Sequence, residues 1–162
     1  MIFIRHLVLI VGVIVFGQIA EYARLLTFEI LSLINYFLSF LNSFFGGPES
    51  FSWEPIWNLI VIASFSEAVF TATIIYLNYL LAKKIFKWNI SFKIFLSVMF
   101  LLLIVKHVNT FYASISLAEL ADGFFMIFTI WLGFLVSLFA SYFPIIVAYI
   151  KFNSNGDWDK NF

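Results

Sequence analysis

An all-α integral membrane protein is the fold class the sequence predicts: a four-transmembrane-helix bundle with an additional amphipathic or interfacial helix after the first span. Composition is the first reason. Of 162 residues, 64% are hydrophobic and only 11% charged, whereas a soluble domain carries roughly 25% charged residues. Mean hydropathy is +1.05. The second reason is that four stretches reach the ~20 mainly apolar residues a spanning helix needs. The third is that only short links separate them, so residues 1–162 form one membrane domain.

The first span covers about 3–21 and contains LVLIVGVIVFGQIA. Arg5 and His6 make a thin basic start, and Val15-Phe16-Gly17 is a passable small-residue site for a signal peptidase. The pattern is partial, and the segment reads as a retained anchor. Residues 24–45 then place Ser32, Asn35, Ser39 and Asn42 on one helical stripe, opposite Phe and Leu faces. A helix lying in the outer interface is expected there, or a straight continuation of the first span. The tetrapeptide EYAR at 21–24 is the expected turn, although it holds neither Gly nor Pro.

Gly46, Gly47 and Pro48 end that helix, and Pro55 suits the first turn of the next. The second span runs over about 56–81, the third over 92–114 and the fourth over 122–150. A polar tail occupies 152–162. Lys83, Lys84, Lys87 and Lys93 crowd the link between spans two and three, which the positive-inside rule places in the cytoplasm, with both termini. An inner membrane is the expected location. Trp53, Trp57, Tyr76, Tyr79, Trp88, Tyr142 and Tyr149 fall near span ends, where aromatic rings favour headgroups. Trp131 falls well inside its span. There its ring reads as lipid-facing, or as a partner for another helix.

Several functions are excluded or poorly supplied. Net charge is zero and the one dense basic cluster lies between spans, so nucleic acid is not an expected partner. Cysteine is absent, which removes thiolate chemistry and thiolate metal sites. Two histidines cannot furnish a zinc site without distant carboxylates. His6 and His107 differ in height by roughly 20 Å along their spans, too far to share a haem. No cofactor or metal is expected. Nucleophile elbows, metalloprotease helices and phosphate loops are missing from the sequence, and the expectation is a protein that is not an enzyme.

One polar cluster stands out. In LLLIVKHVNTFY, residues 101–112, a lysine and a histidine interrupt an apolar run. Counting from the lysine link, Glu67 and Lys106 reach the same height, and a hairpin brings residues equidistant from its turn together. They are the expected intramembrane pair, with His107 as a hydrogen-bonding neighbour and Asn109 and Gln18 at similar depth. Ser64, Glu67, Thr71 and Asn78 share a stripe of the second span. The structural role is a buried ion pair that fixes hairpin register, and the functional one is a proton or ion path.

On the fourth span, Gly133, Ser137 and Ser141 repeat every fourth residue, which lets helix backbones approach. Pro144 is expected to bend the helix below them, and Glu119 with Asp122 suits an outer, solvated helix start. Together these features favour a non-enzymatic protein working through contacts with other membrane proteins. It would be an accessory subunit, a homo-oligomer or an immunity-type protein against a pore-forming toxin. The alternative is a channel or transporter subunit using the Glu67, Lys106 and His107 cluster.

Overall fold

The computed structural model describes residues 2–44, 54–87, 92–120 and 123–154. Four long helices account for nearly all of them: α1 (Ile2–Phe44), α2 (Glu54–Tyr79), α3 (Phe92–Glu119) and α4 (Phe124–Ser154). Each is long and apolar enough to cross a membrane. Only 11% to 28% of the most apolar part of each span is buried inside the chain, so the outward surface is greasy along its whole height. Phe3, Ile14, Leu33, Phe65, Leu101 and Phe139 all point outward. In water that surface would drive aggregation. In hydrocarbon it is satisfied, and the helices supply their own backbone hydrogen bonds.

The expected break at EYAR does not occur. α1 is one helix of 43 residues, about 64 Å long at 1.5 Å per residue. Nothing at 21–24 ends a helix: Glu, Ala and Arg favour it, and Arg24 grips Glu21 one turn back. The interfacial helix expected over 24–45 is therefore the straight continuation of the first span. It also lies along α2, because Asn58 Nδ2 donates to Asn35 Oδ1 at 2.9 Å. Asn35 of the polar stripe thus meets α2, while Ser39 is exposed alongside Leu33, Tyr36, Phe37 and Phe40. Gly46, Gly47, Pro48, Trp53, Trp88, Asp122 and the end of the tail lie outside the described residues.

α2 begins with Pro55 in its first turn, where a missing N–H costs nothing. It runs directly into a π-helical turn, Leu80–Ile85, closed by Phe86 N–H donating to Leu81 O at 3.0 Å. Lys87 then takes a left-handed backbone with φ 51° and turns the chain out of the helix. Gly123, at φ 103°, sits just ahead of α4. There a residue with a Cβ would be strained.

Packing order differs from chain order. α2 lies against α1 and α4, α4 against α3, and α1 touches α3 more lightly. Around the bundle the sequence is α1, α2, α4, α3, so α2 and α3 stand across a diagonal. The apolar core fills the half nearer the lysine link, with Leu9 from α1, Ile74 and Ile75 from α2, Leu96 and Met99 from α3, and Ile145 from α4. Gly133 meets Ile60 of α2 at 3.6 Å from where a Cβ would stand. Ser141 is fully buried and donates to Ser137 O at 2.9 Å. The small-residue stripe of α4 is thus used inside the chain.

Candidate functional site

Glu67 and Lys106 meet. Lys106 Nζ donates to Glu67 Oε2 and lies 4.3 Å from the centre of the Phe70 ring, which adds a cation–π contact. Equal distance from the lysine link gives the two residues matching heights, but α2 and α3 are not the adjacent helices that a hairpin implies. Instead a long lysine side chain reaches across the diagonal from α3 to α2.

A second cation, unforeseen in the sequence, completes the site. Arg24 Nη1 of α1 stands 3.6 Å from Glu67 Oε1. The same guanidinium donates from Nε to Glu21 Oε2 at 2.9 Å and from Nη2 to Glu21 Oε1, a two-pronged charge-assisted contact. The result is a chain of alternating charge, Glu21–Arg24–Glu67–Lys106, that ties α1, α2 and α3 and sums to zero. Side-chain exposure grades outward from 16% at Glu67 through 26% at Arg24 and 35% at Lys106 to 42% at Glu21. The carboxylate at the centre is therefore the best shielded member. An unpaired charge in mid-span costs about 2.5–3.5 kcal/mol on insertion scales, and the alternation removes every isolated charge.

The signal for Arg24 was present as Glu21-x-x-Arg24, an i, i+3 pair inside an uninterrupted helical run. Reading EYAR as a turn placed it at the membrane edge. With α1 continuous, it falls near the middle of the Phe3–Leu41 span.

Other expected members belong elsewhere. His107 is 6% exposed, which puts it in the core, yet its Nδ1 pairs with Leu103 O at 2.7 Å and its ring packs on Tyr142 of α4, 5.4 Å between centroids. It does not serve the ion pair. Consecutive residues of a helix do not share a face, so a lysine directed at α2 turns its successor toward α4. Gln18 and Asn109 are exposed on the outer surface of their helices. Neither faces the cluster it was expected to join. Trp131 joins Phe111 and Phe134, with centroids 5.5 and 6.2 Å away, in an aromatic seam of α3 and α4.

The α2 stripe is as expected. Ser64, Thr71 and Asn78 are buried on the side of the helix that bears Glu67. Asn78 Nδ2 donates back to Ile74 O at 3.0 Å, and its Oδ1 is pressed against the backbone of Gly12 in α1. Ser64 Oγ, Thr71 Oγ1 and Asn78 Oδ1 have no hydrogen-bond partner. Other hydroxyls return to their own helix, as Ser66 does to Ile62 O at 2.8 Å and Ser114 to Thr110 O at 2.9 Å. Among the described residues, no three His, Asp or Glu side chains gather where a metal ion would sit. Compared with protein-family models, with curated proteins and with solved structures, the chain matches none.

Proposed function

We propose that this is a non-enzymatic membrane protein that acts by helix–helix contact with another membrane protein. One observation carries the reading: Gln18 and Asn109 present amide side chains outward from the interior of their spans. Taking Arg24 and Lys106 as level, Gln18 lies about 9 Å to one side of that plane and Asn109 about 4.5 Å to the other. Lipid tails offer an amide no partner, whereas a neighbouring transmembrane helix does. Glu21, the most exposed member of the charge chain, lies within the same band. The α4 small-residue stripe lends no support, since α2 already covers it.

As an accessory subunit, the protein would dock this band against a larger complex. As an immunity-type protein it would dock against a pore-forming toxin within the bilayer. The four link lysines put both termini in the cytoplasm under either version. Extraction in mild detergent followed by mass measurement of the intact particle tests the proposal. The expected mass exceeds that of the 18.8 kDa chain, and falls to it in Gln18→Leu/Asn109→Leu. A monodisperse monomer under several gentle conditions would leave the proposal without support. Survival of toxin-challenged cells separates the immunity version from the accessory one.

A second reading, a proton or ion path, is favoured by the unpartnered oxygens of Ser64, Thr71 and Asn78 on the face that bears Glu67. Buried polar atoms without partners are sites where water enters. Purified protein in liposomes would then pass protons or ions, and Glu67→Gln would change the flux. Liposomes tight to ions at every pH and voltage tried would retire this reading for the isolated chain.

A further inference from the structure

The side of α1 turned away from the bundle carries a pattern that the packing within the chain does not use. Ile4, Val11, Gln18 and Leu25 recur every seventh residue, and Leu7 and Ile14 stand three places after the first two. This is the a and d spacing of a left-handed coiled coil, with β-branched residues at the first two a positions. Exposure picks out the same residues. Ile4, Leu7, Val11, Ile14 and Leu25 are 42% to 69% exposed, and Gln18 is exposed with them. Leu9, Gly12 and Ala20 are buried, and each lies two residues from a seam member, about 200° round the helix. The seam is therefore the back of α1, directed away from the core. From Ile4 to Leu25 it rises about 32 Å, close to the thickness of the hydrocarbon layer.

One amide interrupts the apolar seam, and its chemistry constrains what lies against it. An amide carries both donors and an acceptor, so it pairs with a copy of itself. Two copies inserted with the same topology are related by a two-fold axis along the bilayer normal, which brings residues of equal number to equal height. Gln18 then faces Gln18 of the partner subunit, each Nε2 donating to the other's Oε1. A lysine or glutamate at that position would meet its own charge. Glu21 occupies the next d position, but Arg24 of the same chain holds both its oxygens, so the two enter the contact as a neutral unit. A single polar a residue in an apolar seam fixes register and strand number. A different protein would need a matching group at this one depth, whereas a copy carries it by construction.

We propose that the α1 seam joins two copies of this chain into a parallel dimer, with the Gln18 pair setting its register. This dimer rests on the contact reading proposed above and gives it a partner. Asn109, on α3, lies outside the seam.

The chain has no cysteine, so the test uses single-cysteine variants of the full-length protein, oxidised in native membranes. Val11→Cys, Ile14→Cys and Gln18→Cys should each give a disulfide-linked species of twice 18.8 kDa. Ile19→Cys and Val108→Cys, exposed in their spans but off the seam, should not. Fluorescence transfer between labelled copies in liposomes reads the affinity. Gln18→Leu should weaken self-association by about three- to thirty-fold, the range of interhelical hydrogen bonds in membranes. Gln18→Asn should restore part of it, and an unchanged helical signal checks that both variants fold. Cross-linking at Ile19→Cys as efficient as at Gln18→Cys would overturn the dimer, as would none at any seam position. A particle heavier than the chain that yields no seam disulfide would overturn the dimer alone and leave the contact reading standing. A lone monomer in membranes and in gentle detergent would remove both.

Discussion

At the scale of single residues the charge chain makes an asymmetric prediction. Removing Lys106 leaves Glu67 still facing Arg24 at 3.6 Å, whereas removing Glu67 leaves Lys106 with the Phe70 ring and the more distant charge of Glu21. Glu67→Leu should therefore cost more stability than Lys106→Leu, by about 1–2 kcal/mol given the value of charged hydrogen bonds. The double variant should recover part of the Glu67→Leu loss, because no lone cation is left at Lys106. Reversible unfolding in mixed detergent reads all three, and strictly additive losses would show that the two groups do not interact. Gly12 makes another local prediction. A Cβ there collides with Asn78 Oδ1, so Gly12→Ala should destabilise by about 1–3 kcal/mol through overpacking. Adding Asn78→Ala should return most of that loss. The residue scale is also where the sequence misled. Its apolar helices carry hydrophobic side chains all round, so periodicity gave no signal for the faces of Gln18 and Asn109.

Among the elements, α1 is the one whose reading changed. A polar stripe at Ser32, Asn35 and Ser39 looks the same whether it faces water at an interface or a partner helix in the bundle; the residue types cannot distinguish them. The Asn58–Asn35 hydrogen bond does. The natural sequence has no cysteine, so Asn35→Cys/Asn58→Cys is a clean crosslinking pair. Oxidation in membranes should lock α1 to α2 and shift gel mobility. Failure to crosslink would return residues 24–44 to the interface. The existence of α2, α3 and α4 and the start of α3 were legible because long apolar runs, Pro55 and the lysine link set them. α3, however, runs on past the expected 114, so Glu119 ends that helix instead of starting the next. The π-helical turn at Leu80–Ile85 was not legible, since LLAKKI carries no residue that demands an extra member per turn. Nor did anything in the sequence identify Arg24 as a network member while α1 was cut short of it.

For the whole molecule, the number of spans and the height of the central charges follow from chemistry that counting can reach. Which helices touch does not, because in lipid every long helix has an equally apolar surface to offer. The diagonal placement of α2 and α3 was hidden for that reason. Orientation stays testable from the outside. Maleimide labelling of Lys87→Cys should require a permeant reagent, and modification by an impermeant one in intact cells would invert the topology.

The diagonal also has a consequence for how the molecule is made. α1 and α2 emerge first and can zip together at once, through Gly12 against Asn78 and Asn35 against Asn58. α3 follows with Lys106 already in lipid, yet its main wall of support, α4, is still in the ribosome. The last helix thus works as a keystone. A chain released after Glu119 should be caught by quality-control proteases with its third helix held by little more than the Lys106–Glu67 pair, while the finished chain closes the ring in a single late step.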